Sequence, residues 1–141
     1  DIGSGGGFPG IPLAICRPDL HFTLLDRSAK RVRFLRVVQA ELGLDNVDCV
    51  CQNLPVSSAM NNTYDVAFAR AVSDPSTVWG ICEQLLKSKG RLIFFLSTQP
   101  DNTAGKRELQ NRNFEGISWR IEDVRIPKLN SAHKILIMDK Q

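Results

Sequence analysis

The sequence predicts an α/β fold: a mainly parallel sheet that closes with a C-terminal antiparallel pair. Three observations carry this. Short apolar runs alternate with amphipathic stretches along residues 21–97. A glycine-rich segment, DIGSGGGFPG, stands at the point where such folds turn from strand to helix. Two β-rich runs near the C-terminus, ISWRIEDVRIP and KILIMDK, have no long helix between them. Strand and helix in alternation require helices on the faces of a parallel sheet. The 141 residues suit one domain over 1–141, with no repeat or low-complexity tract dividing it.

Taken in order, HFTLLD (21–26) is an apolar run ending in an acid, and reads as a strand. SAKRVRFLRVVQAELG (28–43) reads as a helix, with Ser28 as N-cap and Gly43 as C-terminal stop. Val32, Leu35, Val38 and Leu42 form its inner stripe. NVDCVCQ (46–52) and YDVAFAR (64–70) are the next strands. DPSTVWGICEQLLKSKG (74–90) opens on Asp-Pro and closes on Lys-Gly, which predicts a helix over that span. RLIFFLS (91–97) is apolar throughout, as a strand covered on both faces requires. The polar stretch 98–113 has room for a short helix, and 117–127 with 134–140 form the terminal pair.

Composition narrows the function classes. A net charge of +3 is compatible with a nucleic-acid partner and demands none. No apolar run in these residues approaches the roughly 20 that span a bilayer, and none of them reads as a basic start followed by an apolar middle of the signal-peptide kind. The expected location is cytoplasmic. Cys16, Cys49, Cys51 and Cys82 match no zinc spacing; they are expected as buried thiols in a reducing compartment, with no metal site. Trp79, in a helix, and Trp119, in a strand, are expected to pack in the core rather than stack on bases.

The glycine segment supports two ligand readings. Gly3, Gly5 and Gly7 make Asp-x-Gly-x-Gly-x-Gly, which suits S-adenosylmethionine enzymes; Gly5, Gly7 and Gly10 make Gly-x-Gly-x-x-Gly, which suits dinucleotides. A turn that binds no ligand remains the plain alternative. Asp26 ends the next strand, where an acid accepts the hydroxyls of an adenosine ribose; its plain alternative is helix capping beside Ser28. Asp1 before the glycines suits a methionine ammonium and repels a pyrophosphate, and Phe8 crowds the place where a pyrophosphate would rest. Both favour the methyl donor over a nicotinamide cofactor.

Beyond these patterns, DIGSGGGFPGIPLAI, RPDLHFTLLDRSAKRVRFLRVVQAELGL and FARAV resemble the RsmG (GidB) family. The likeness is dense over 1–44 and looser over 45–141. It implies a Rossmann-like class I methyltransferase fold, S-adenosylmethionine as cofactor, and methyl transfer to guanine N7 of 16S rRNA in the small ribosomal subunit. It implies a monomer without membrane or metal partners. It also implies that the first strand and an N-terminal helical segment of the family are missing from this sequence, with Asp1 ending that strand. Residue by residue, it places Gly3 and Phe8 in the cofactor loop, Asp26 at the ribose and Leu54 and Pro55 beside the adenine. Arg70, in ARA, falls at the cofactor and active site.

The sequence departs from the family where Arg-Val-Glu-Glu becomes NLPV (53–56), and Pro55 has no N–H to donate. A family lysine is replaced near Ser97, and an arginine near the C-terminus by His133. Two alternatives stay open: a degenerate donor- or RNA-binding relative without turnover, and a methyltransferase with a substrate other than rRNA. The basic run Arg27, Lys30, Arg31, Arg33 and Arg36 is a candidate phosphate contact, against the plain reading of a solvated helix face.

Overall fold

A computed structural model of the chain describes residues 1–53, 57–70, 73–96, 117–125, 127–128 and 133–141. They fall into two compact units, Asp1–Val56 and Ser57–Gln141.

In the first unit, residues 1–3 run alongside the first strand. The Asp1 nitrogen donates to the Thr23 carbonyl (2.8 Å), Leu25 N–H to Asp1 O (2.9 Å) and Gly3 N–H to Leu25 O (2.8 Å), a parallel rung centred on Ile2 and Leu25. α1 (Gly10–Cys16) follows the loop, then β1 (Phe22–Asp26), α2 (Ala29–Leu42) and β2 (Val47–Cys51). β1 and β2 pair in parallel from Phe22↔Val47 to Asp26↔Cys51. The core gathers Ile11 and Ala14 of α1, Leu24, Leu35 of α2 and Val47. Asn46 ties the exit of α1 to β2 by donating to the carbonyls of Ala14, Arg17 and Leu20.

The caps of α2 are those the sequence predicts. Ser28 Oγ accepts from Arg31 N–H, and Gly43 takes a left-handed φ of 62°. Its inner stripe is shorter than expected. Val32 and Leu35 are buried and Val38 half-buried, but Leu42, in the last turn, is 52% exposed. Leu44, beyond the Gly43 turn, packs against the core instead.

In the second unit a 3₁₀ turn (Ser58–Met60) precedes β3 (Tyr64–Arg70), α3 (Pro75–Leu85), β4 (Leu86–Leu96), β5 (Ile117–Val124) and β6 (His133–Lys140). The strand order is β3-β4-β6-β5. β3 and β4 are parallel, while β6 runs antiparallel to both β4 and β5. The register lines up Ala67, Leu92 and Met138, and likewise Ala69, Phe94 and Leu136, on one face; all six are buried. α3, whose Val78, Trp79, Cys82 and Leu85 are buried, lies against β3 and β4.

α3 ends earlier than the sequence predicts. The stretch 87–90 belongs to β4, because Leu86 is already buried and paired with Tyr64 across the sheet. The register shifts between Tyr64 and Val66, so the extra residues bulge, with Lys89 at φ 64°; regular pairing resumes at Val66↔Arg91. Lys140 Nζ donates to the carbonyls of Glu83 (2.7 Å) and Leu86 (2.8 Å), capping the end of α3 from β6. A cation is favourable there because a helix C-terminus carries partial negative charge.

The cysteines depart from expectation. All four are free, but only Cys82 is buried; Cys49 is half-buried, and Cys16 and Cys51 are exposed. Cys51 is the last residue of β2, with its Sγ 3.8 Å from the Arg27 carbonyl, and Cys16 ends the short α1; both are exposed at the ends of their elements. Trp79 is 3% exposed, in the core as expected, and Trp119 is half-buried. The expected helix in 98–113, and Ser97, lie outside the described residues.

Candidate functional site

The residues singled out at the glycine segment converge in the first unit. The loop's backbone is held by two carboxylates. Asp26, at the end of β1, is 1% exposed. Its Oδ2 accepts from Gly5 N–H (2.9 Å) and its Oδ1 from Ser28 N–H (2.8 Å), with Arg31 Nη1 at 3.5 Å from Oδ2. Burial alone would push this carboxyl up. The Ser28 and Gly5 N–H groups and the Arg31 guanidinium outweigh it and hold Asp26 below the usual carboxylate range. Asp26 thus joins the loop to the start of α2, and a carboxylate with three donors retains acceptor capacity.

Asp1 acts on the other side of the loop. Its Oδ2 accepts from Gly10 N–H (3.0 Å), the first amide of α1, whose own N-cap, Pro9, offers no side-chain acceptor. Ser4, buried at 2% exposure, donates from Oγ to Asp1 O (2.8 Å).

Two glycines are dictated by close approach. Gly7 has φ 90°, and a Cβ there would lie 2.6 Å from Ile11 Cγ1 and 3.1 Å from Leu35 Cδ2. At Gly10 a Cβ would lie 2.1 Å from Leu24 Cδ2 and 2.9 Å from Asp1 Oδ2. Gly6, in contrast, borders open space, since a Cβ would meet nothing within 4 Å. Phe8 is 59% exposed on the same loop. The loop thus presents main chain beside open space at Gly6 and the exposed ring of Phe8, with the carboxylates of Asp1 and Asp26 bonded to its amides.

The other expected residues are placed as follows. Arg70 is exposed at the carboxyl end of β3 in the second unit. Leu54 and Pro55 lie outside the described residues. Arg27, Lys30, Arg31 and Arg33 are exposed at the start and along the outer side of α2. Arg36 Nη2 donates to Cys49 O (3.2 Å). The roles of Ser4, and of Gly10 as a packing residue, were not anticipated; a glycine between Pro9 and Ile11 at a helix start was the available signal. Among the described residues no group of three or more His, Cys, Asp or Glu could hold a metal, and no helix is long and apolar enough to cross a membrane.

Comparison with known proteins adds to this geometry. The model of the GidB family, described as rRNA small subunit methyltransferase G, matches residues 1–137. The ribosomal RNA small subunit methyltransferase G of Yersinia enterocolitica is 37% identical over 139 residues, covering 98% of this chain and 65% of that protein. The chain therefore spans less than two thirds of this relative. Among solved structures, a SAM-dependent methyltransferase from Aquifex aeolicus superposes with a TM-score of 0.70 at 18% identity, covering 98% of this chain and 79% of that one. The [4+2]-cyclase SpnF superposes with a TM-score of 0.72 at 18% identity, over 99% of this chain and 74% of its own. A cyclase and a methyltransferase on one fold show that the fold alone does not assign the reaction.

Proposed function

Because the chain belongs to the GidB family, rRNA small subunit methyltransferase G, we propose that it transfers a methyl group from S-adenosylmethionine to small-subunit rRNA, at guanine N7 of 16S rRNA. The observation that carries this reading is the family match across 1–137, which includes the glycine loop, Asp26 and Arg70. We take residues 1–141 as one methyltransferase domain and 16S rRNA within the small ribosomal subunit as its partner.

The loop residues fit the donor. The main chain at Gly3, Gly5 and Gly7, with the exposed ring of Phe8, forms the bed; Asp26 faces the ribose hydroxyls and Asp1 the methionine end. When bound, S-adenosylmethionine supplies an electrophilic methyl on a sulfonium. Guanine N7 carries a lone pair and no proton, so this chain needs no general base. What it must supply is position, and effective-molarity arguments allow most of the rate to come from that. With the donor bound, the N7 lone pair would form the new N–C bond as the S–C bond pair returned to sulfur. Arg70 orients the base through its O6 edge, which an arginine is suited to read. Of the basic run, Arg27, Lys30 and Arg33 contact rRNA phosphates, while Arg31 is held at Asp26.

The test is a methylation assay on unmethylated 30S subunits, mapped at guanine N7. Methyl transfer is expected, and Arg70→Ala is expected to lower it by about 10²-fold, a typical cost for misplacing a reacting group. If Arg70→Ala changes neither donor binding nor methylation, Arg70 has no such role. A second reading, a relative that binds without turnover, is favoured by Pro55 in NLPV, where no main-chain N–H is available to an adenine. Donor binding without product in the same assay would establish it.

A further inference from the structure

The outer face of α2 carries a feature that the donor site does not use. Phe34 is 53% exposed and Val37 58% exposed in the middle of this helix, while Val32 and Leu35 on its inner face are 1% and 0% exposed. Lys30, Arg33, Phe34 and Val37 recur at i, i+3, i+4 and i+7, so they form one stripe along the exposed side. Neighbours at that spacing lie about 5–6 Å apart at Cβ, which sets Lys30 and Val37 on either side of the Phe34 ring.

The cations of the helix divide into two groups. Arg31 is drawn inward to Asp26, and Arg36 to the Cys49 carbonyl. Arg27, Lys30 and Arg33 are exposed and, among the described residues, have no ion-pair partner. Arg27 and Lys30 stand at the helix N-terminus, where a positive charge opposes the dipole and is stabilised by an anion from outside.

We propose that this stripe is a single-stranded RNA platform, with an unpaired base stacked on Phe34 and the adjoining phosphates held by Arg27, Lys30 and Arg33. An exposed aromatic ring among unpaired cations is the combination that binds unpaired nucleotides: every base has a face to stack, and every linkage carries a charge. A protein surface docked on the apolar pair would need a carboxylate opposite each of those cations, whereas a nucleic-acid strand carries an anion at every linkage. The proposal rests on the rRNA reading above and adds to it which part of the RNA is held, an unpaired segment, and by which ring.

The experiment uses the full chain and a single-stranded RNA of about 16 nucleotides, beside the same RNA annealed to its complement. Phe34→Ala is expected to weaken single-strand binding about tenfold, the usual scale of one stacked base, with an unchanged melting temperature because Phe34 is half exposed. Phe34→Trp is expected to keep affinity and to show fluorescence quenching with the single strand but not with the duplex. Lys30→Gln with Arg33→Gln is expected to lower the slope of log K against log salt by about 1.4, or 0.7 per phosphate contact. Single-strand affinity unchanged in Phe34→Ala overturns the proposal, as does equal quenching by the duplex. Loss of self-association in Phe34→Ala, with RNA binding intact, overturns it in favour of a protein interface. Calorimetry with S-adenosylmethionine is run in parallel. If the unaltered chain binds no donor, the methyl-transfer reading fails while the RNA result still decides the platform.

Discussion

At the scale of single residues, the loop is organised by contacts that no glycine pattern states. A methyl group at Gly10 would run into both Leu24, which is fully buried, and the Asp1 carboxylate. Gly10→Ala is therefore expected to destabilise the chain by about 1–3 kcal/mol, the usual cost of forcing a methyl group into a packed core. Urea unfolding checks this, and Gly6→Ala, which meets open space, serves as the comparison. The spacing of Gly3, Gly5, Gly7 and Asp26 was legible in the sequence because motif distances along the chain are conserved by the turn itself. That Asp26 would accept from Gly5, and Asp1 from Gly10, was not. Those bonds depend on where main-chain N–H groups point once β1 and residues 1–3 lie side by side. Phe34 was hidden for a similar reason: its period places it on the helix, but only packing shows which face stays open.

At the scale of elements, α3 is held at its start by a dense cap. Asp74 Oδ1 accepts from Thr77 N–H (2.9 Å) and Ser76 Oγ (2.6 Å), while its Oδ2 accepts from Thr77 Oγ1 (2.6 Å). Pro75 occupies the first turn, where its missing N–H costs nothing. Asp74→Ala is expected to cost about 1–2 kcal/mol and Asp74→Ser much less, read as shifts in the urea midpoint without change in slope. The start of this helix was legible because capping is local chemistry. Its end was not: Lys-Ser-Lys-Gly reads as a stop signal, yet those residues lie in β4, where pairing of Leu86 with Tyr64 overrides the local preference. α2 shows the converse, with both ends set by Ser28 and Gly43 and both predicted.

At the scale of the whole molecule, four carboxylates sit below their ordinary range; for the exposed Asp19 the cause is the hydrogen bond from the Arg17 guanidinium. For Asp74 the cause is the hydroxyls of Ser76 and Thr77 and the Thr77 N–H; for Asp139 it is the Arg91 guanidinium, with Arg120 added; for Asp26 it is the donors that outweigh burial. A carboxyl depressed in the native state binds its proton more readily when unfolded, so its stabilisation is complete above about pH 4 and is lost as pH falls further. The melting temperature is thus expected to hold from pH 7 to about pH 4 and then drop, and the drop is expected to be shallower in Asp74→Asn. The α/β class and the antiparallel closing pair were legible from alternating runs. The strand order was not, because nothing local records that β6 enters between β4 and β5. That placement has a consequence for synthesis. β6 is the last of these strands to leave the ribosome, yet it is the sole described partner of β5 and fills the second edge of β4. Until residues 133–140 emerge, none of the described strands can pair with β5 or fill the second edge of β4, so this sheet is completed only once β6 has left the ribosome.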